Sequence, residues 1–331
     1  MGSLDGFNGG VSDFVEGRTT EQKVIDGRLF PKVFLPANDV ERANVQALVQ
    51  KIRSNKAWLE DEVVKSNALL FRGFAVRSAE DFKVVVEAFG WEEQRYLGFA
   101  PRTEIVERVY TANEAPLHEQ IDFHHEMALM KEWPSKLFFF CETAPPEGGE
   151  TAIAPSHLIP PLMEKIVPEF VKKVKDLGLL FNITTPSQNT LNSFISKTWK
   201  TVLDTSDPEE AKKRAFEILG CMDFQCHDDE TADFKFGALE TIRILEKEKG
   251  QEVWFNTIAG YGQGSKNQML RLGDESIIPI EVVKAFKHIM DEQCVNLKLK
   301  DGDVLLLNNL SVQHGRRSSK PPRRVLVSMC K

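Results

Sequence analysis

The 331-residue sequence is 42% hydrophobic and 27% charged, with a formal net charge of −7. That is enough apolar material for a sizeable core, in one large domain or two smaller ones. The acidic balance argues against a general nucleic-acid binder, which needs clustered basic charge, and no apolar run approaches the length of a membrane span. The five cysteines are an odd and sparse set that suits a reducing compartment better than a disulfide framework. The start, MGSLDGFNGG, has neither a signal-peptide apolar core nor an Arg-rich transit character, so the expected setting is cytoplasmic.

Residues 1–25 are Gly-rich and polar and are expected to be poorly ordered, with one domain over 26–331. Asn38 and Glu41 form a capping-box pattern, and Val45, Leu48, Val49 and Ile52 follow at helical spacing. Ala68 to Phe74 reads as a buried strand ending in a turn. Ser78 with Asp81 starts another helix, whose apolar face is Phe82, Val85, Val86 and Phe89 and whose stop is Gly90. Residues 121–129 and 137–141 are short Phe-rich apolar runs that read as strands. Helical segments are expected over 158–176 and 207–219, the second capped by Asp207-Pro208 and stopped by Gly220. The polar stretch 184–200 is long for a connection, and is either a lid or a plain linking loop. Gly260 to Gly264 reads as a turn near a pocket mouth, since no dinucleotide-binding pattern follows it. Asp301-Gly302 signals a hairpin whose return strand begins at Val304, and Arg324 to Met329 is a further strand. Helices early, short strands late and many turns indicate an α+β fold, a β sandwich or barrel with helical insertions.

The run IDFHHEMAL, residues 121–129, places two histidines and an acid among apolar residues, and burying such groups is costly unless something satisfies them. On a strand, His124 and Glu126 share one face and His125 takes the other, as a structural residue or a donor supporting a ligand rather than as a ligand itself. A zinc-protease H-E-x-x-H reading fails because Leu129 stands where the second histidine belongs. His118, His157, His227 and His288 lie in loop-like or helical surroundings with few partners. His314 instead follows a buried strand and precedes a glycine that permits close backbone approach. His124, Glu126 and His314 form the two-histidine, one-carboxylate set of non-haem Fe(II) oxygenases. The bland alternative is a histidine and a glutamate hydrogen-bonded in a core. Cys221, Cys226 and His227 lack a second ligand pair at zinc-finger spacing and read as ordinary thiols beside a histidine.

H-x-E, a Phe-rich strand, GGET at 148–151, and a distal HGR followed by RRVLV together resemble the Fe(II)/2-oxoglutarate-dependent dioxygenases of the taurine dioxygenase group. The clavaminate synthase-like branch, with Glu as acidic ligand, is the closest in pattern, and FRGF at 71–74 resembles the family's early strand. The resemblance implies a double-stranded β-helix, or jelly roll. It also implies iron held by His124, Glu126 and His314, and 2-oxoglutarate anchored by Thr151 and Arg324, with Arg323 as the second choice. It further implies oxidation of a small molecule by dioxygen, with succinate and carbon dioxide as co-products. A catalytically silent relative that only binds a metal or small ligand is the alternative. Taurine dioxygenase carries a further arginine on the last strand, where Ser328 stands here, so a small sulfonate is not the expected substrate.

Overall fold

The computed structural model describes residues 13–190, 195–245, 250–259 and 270–331. Its central strand is Lys136–Thr143, KLFFFCET, paired antiparallel with Val304–Asn308 on one side and Arg324–Cys330 on the other. All three are apolar almost throughout because both faces of this sheet are covered. Leu137, Phe139, Cys141, Leu305, Leu307, Val325, Val327 and Met329 enter one core cluster, while the alternate residues Phe138, Phe140, Val304, Leu306, Leu326 and Cys330 enter another. The second cluster is completed by the helices Val45–Ser54, Lys56–Ser66 and Ala79–Ala88, through Leu48, Val49, Ile52, Leu59, Val63, Phe82, Val85 and Val86. The first cluster includes Ile153, Val295, Leu297 and Val312 of a four-stranded sheet. That sheet runs in the order Val295–Leu297, Thr151–Pro155, Val312–Arg316, Ile121–His124.

The larger sheet has eight strands and a further four-stranded sheet lies outside it, built around Leu179–Thr185 and Ala232–Leu239. The architecture is mixed helix and sheet, as expected. The cap signals hold: the Asn38 side chain accepts from the Glu41 N–H at 3.1 Å and Ser78 accepts from the Asp81 N–H at 3.2 Å. Asp207 caps Pro208–Arg214, which runs on as a π-helical turn, Ala215–Leu219.

Four expectations are corrected. Residues 13–25 are not loose: Phe14 is buried, and Val15–Gly17 pairs with Lys32–Leu35 at the edge of the large sheet. The first twelve residues lie outside the described ones, as do Gly260 to Gly264. The helix expected over 158–176 is broken at Pro168 into Ile159–Ile166 and Pro168–Leu177, since proline cannot donate the hydrogen bond that would continue it. Asp301-Gly302 is a turn but not a hairpin. Val295–Leu297 pairs with Thr151–Pro155 and Val304–Asn308 pairs with Ala68–Phe71, so the turn carries the chain from one sheet to the other. Asp303 just beyond it is fully buried and pairs with Arg72 of FRGF, Nη2 to Oδ2, at 2.6 Å. Finally, the strand expected over 121–129 ends at His124.

Candidate metal centre

The site lies where the edge strand of the smaller sheet meets its neighbour. His124 and His314 are direct cross-strand partners, and their rings stand 4.3 Å apart between centroids. Such partners are the closest neighbours that two strands can offer. Gly315 permits this approach: a Cβ there would stand 2.6 Å from the Ile121 carbonyl oxygen.

Glu126 arrives by another route. It lies in a turn after the strand, closed by Met127 at a φ of +56°. The buried Asn309 side chain holds this turn. It accepts from the Glu126 N–H at 2.9 Å and donates to the carbonyls of Glu126 at 3.1 Å and Pro134 at 2.7 Å. The result is that one donor atom from each of His124, Glu126 and His314 lies within 4.8 Å of the others.

The electrostatics suit a cation. Burial works to raise the Glu126 pKa, but the Arg102 guanidinium and the two histidines outweigh it and hold it at about 2. Burial, aided by His314, lowers the His124 pKa to about 4, so the ring is neutral at physiological pH. Its Nδ1 lies 2.8 Å from the Asp122 carbonyl, a contact that fixes Nδ1 as donor and leaves the Nε2 lone pair for a metal. His314 Nε2 stands 3.6 Å from Glu126 Oε2, while its Nδ1 is buried without a hydrogen-bond partner. Two imidazole rings and an ionised carboxylate converging this closely fit a ferrous ion.

His125 takes no part. Its Nδ1–H donates to the Phe255 carbonyl, its Nε2 accepts from the Ser156 hydroxyl at 2.9 Å, and its ring stacks on Phe255 at 4.5 Å. Burial pushes its pKa well down, so it serves as a neutral structural residue.

On one side of the three donors, a cavity is lined by His124, His314, Thr151, Phe139, Arg323 and Val325. Thr151 opens the strand that follows GGET and is buried. The two candidate arginines are placed differently. Arg324 is half-exposed and pairs with Glu142 at 2.9 Å on the outside of the sheet. A bulge between Arg324 and Val325 shifts the register, so that Arg324 faces Thr143 and Val325 faces Cys141. Arg323 is the residue that lines the cavity. Its Nε donates to the Gly149 carbonyl at 3.1 Å, and burial, with Arg316 nearby, lowers its pKa to about 10. Gly149 has a φ of +69°, and a Cβ there would meet Ser319 Oγ at 2.7 Å and Arg323 Cδ at 3.0 Å, so this glycine makes room for the arginine.

Ser328 is also reassigned. It lies between Leu326 and Cys330 in the alternation of the last strand, on the helix-covered face, and does not look into the cavity. Its identity therefore says nothing about a sulfonate. Two residues of the site carried no motif: Asn309, which fixes the Glu126 turn, and Arg102, whose Nη2 donates to Glu126 Oε2 at 2.8 Å.

Comparison with known proteins now bears on this arrangement. Residues 35–330 match the family model described as taurine catabolism dioxygenase TauD, TfdA family. The chain belongs to that family. A clavaminate synthase-like protein of Arabidopsis thaliana is 39% identical over 327 residues, covering 96% of this chain and 98% of the relative. The dapdiamide synthesis protein DdaC of Enterobacter agglomerans is 25% identical, covering 81% of this chain and 84% of its own. Among solved structures, a taurine dioxygenase from Burkholderia xenovorans superposes with a TM-score of 0.50 at 15% identity, covering 91% of this chain and 85% of the other. As a TauD/TfdA family member the chain is a dioxygenase dependent on iron and 2-oxoglutarate, acting with dioxygen on a small molecule. Among the described residues, no helix is long and apolar enough to cross a membrane.

Proposed function

We propose that His124, Glu126 and His314 hold the ferrous ion, that Thr151 and Arg323 receive the far carboxylate of 2-oxoglutarate, and that the enzyme oxidises a C–H bond of its substrate. The two sheets are read as a double-stranded β-helix forming a single catalytic unit. The observation that carries the reading is the placement of three metal donors beside a cavity that also holds a half-buried arginine and a buried threonine. A guanidinium can take a carboxylate through paired hydrogen bonds, which a lysine cannot.

Bound iron and 2-oxoglutarate together supply the oxidising power, with dioxygen consumed and succinate and carbon dioxide formed. The chain supplies geometry and dielectric. Arg102 keeps Glu126 ionised and aimed. The Asp122 carbonyl holds the His124 ring in one tautomer. Phe139 and Val325 give the co-substrate cavity apolar walls, so the charge-assisted contacts there act in a low dielectric. No side-chain nucleophile is required.

The test is release of labelled carbon dioxide from 2-oxoglutarate with added Fe(II). Release that disappears in His124→Ala supports the enzyme. Absence of release with any divalent metal, by protein that still binds metal, would leave the silent binding protein as the reading.

A further inference from the structure

Arg102 is only partly used by the site described so far. Its side chain is 5% exposed, and its Nη2 is committed to Glu126. The guanidinium lies over the Tyr96 ring at 4.5 Å. Its Nε and Nη1 are buried and form no hydrogen bond of good geometry, although the Tyr96 hydroxyl interacts with the guanidinium. A buried donor left unmatched costs about 1–3 kcal/mol, more when charged. Two such donors on one guanidinium call for a partner that the protein does not provide.

The position of Arg102 says where that partner enters. It lines the co-substrate cavity and also a second cavity that shares His124 and Asn113 with the first. The second cavity is walled by Phe99, Met127, Leu129, Met130, Ile183 and Ile195, which is apolar and suited to the body of a small organic molecule. A further cation stands close by: the Lys197 Nζ lies over the same Tyr96 ring, 4.8 Å from its centroid. Burial and then Arg102 lower its pKa to about 8, as expected of two neighbouring cations sharing too little negative charge. Of the carboxylates nearby, Glu126 is committed to the metal, and Glu114 acts on Lys197 without a hydrogen bond between them.

We infer that the primary substrate is a carboxylic acid with an apolar body, its carboxylate received by the free nitrogens of Arg102 and its body lying in the cavity walled by Phe99, Met127 and Ile195. The inference rests on the oxygenase reading for the identity of the site, and on Arg102, with Lys197 beside it, for the charge of the ligand. It places the carboxylate beside the metal centre, so the carbon presented for oxidation is one near that carboxylate. An uncharged substrate could offer these donors only a neutral acceptor, weaker than a carboxylate's paired, charge-assisted bonds.

The experiment uses the full-length protein loaded with Fe(II) and 2-oxoglutarate. Straight-chain and phenylalkanoic monocarboxylic acids are each compared with their primary amides. Two signals are read: decarboxylation above the rate without added ligand, and calorimetric binding. The acids are expected to bind at least about tenfold more tightly than the matched amides, the size of one charge-assisted hydrogen bond. Arg102→Gln is expected to erase that preference. Lys197→Met leaves the Glu126 contact untouched and is expected to narrow the preference, which keeps the test open if Arg102→Gln fails to hold iron. Amides binding as well as acids, or no acid binding at all, would overturn the inference. So would Arg102→Gln raising the KM for 2-oxoglutarate with the acid preference intact, since Arg102 would then serve the co-substrate. If the wild type never decarboxylates 2-oxoglutarate, the oxygenase reading falls, whereas calorimetry on the same protein still decides whether Arg102 selects acids.

Discussion

The two cavities that meet at His124 have differently made walls. The side proposed for the co-substrate is built mostly from strands: His314 and Thr151 sit on hydrogen-bonded partners of one sheet, and Phe139 and Val325 come from the other. The opposite side is built largely from connections: residues 96–102, the turn 127–130, and Ile195 from the polar stretch 184–200. A strand fixes each side chain by register, so a one-residue error would move the whole set to the wrong face. A loop fixes only what its own contacts hold. Ser196 shows such contacts, with its N–H and its hydroxyl both donating to the Phe99 carbonyl. The strand wall therefore suits the reactant shared across the family, and the loop wall suits whatever distinguishes this enzyme.

The strongest way to break this division is to remove a strand-borne donor. His314→Ala and His124→Ala are expected to reduce Fe(II)-dependent carbon dioxide release to background and to lower bound iron, measured by metal analysis after desalting. Next, Arg323→Gln is expected to raise the KM for 2-oxoglutarate by about 10–100-fold, the loss of a charged hydrogen-bonded partner. Arg324→Gln should leave it within about twofold, because an exposed ion pair contributes little. Equal effects from the two arginines would show the register wrongly read.

Asn309→Ala tests the join between strand and turn. It leaves the Glu126 N–H and two carbonyls without their partner in a buried setting, and is expected to cost about 2–4 kcal/mol in urea unfolding. Iron affinity should also fall by about 10–100-fold, as when other supporting groups of metal ligands are lost. Unchanged iron affinity would mean that the turn holds itself.

The smallest effect is on acid stability of the metal-free protein. His124 has a folded pKa of about 4 against an ordinary 6.5, so below 6.5 the unfolded chain binds a proton that the folded one refuses. Stability then falls with pH across the window from 6.5 to 4. Glu126, depressed from 4.5 to about 2, adds stability that is present above 4.5 and is lost as the pH drops toward 2. Both act in the same direction. Metal-free His124→Asn should show a flatter stability profile between pH 6.5 and 4 than the wild type.

Legibility in the sequence followed the same division of walls. H-x-E, GGET and the HG pair were readable because strand pairing and glycine-dependent close approach leave fixed residue types behind. The route to Glu126 was misread as strand alternation, since no residue type marks where the strand stops and the Asn309-bound turn begins. Arg323 and Arg324 could not be told apart because the bulge that sets their parity depends on pairing with Thr143 and Cys141, far off in sequence. Arg102 lies in a connection with no periodicity, and only its three-dimensional neighbours give it meaning. Phe14 escaped notice because one aromatic in a Gly-rich stretch has too little local pattern to signal a strand edge.

The pairing of His124 with His314 has a last consequence, for how the holoprotein matures. The two imidazoles become neighbours only when Ile121–His124 docks on Val312–Arg316, and closing so long a stretch of chain is an entropically late event. A ferrous ion bound at the proposed site therefore has no preformed seat on a chain in which these two strands have not yet docked. It is recruited by the finished scaffold, and should raise the melting midpoint in proportion to the logarithm of its free concentration, as any native-state ligand does.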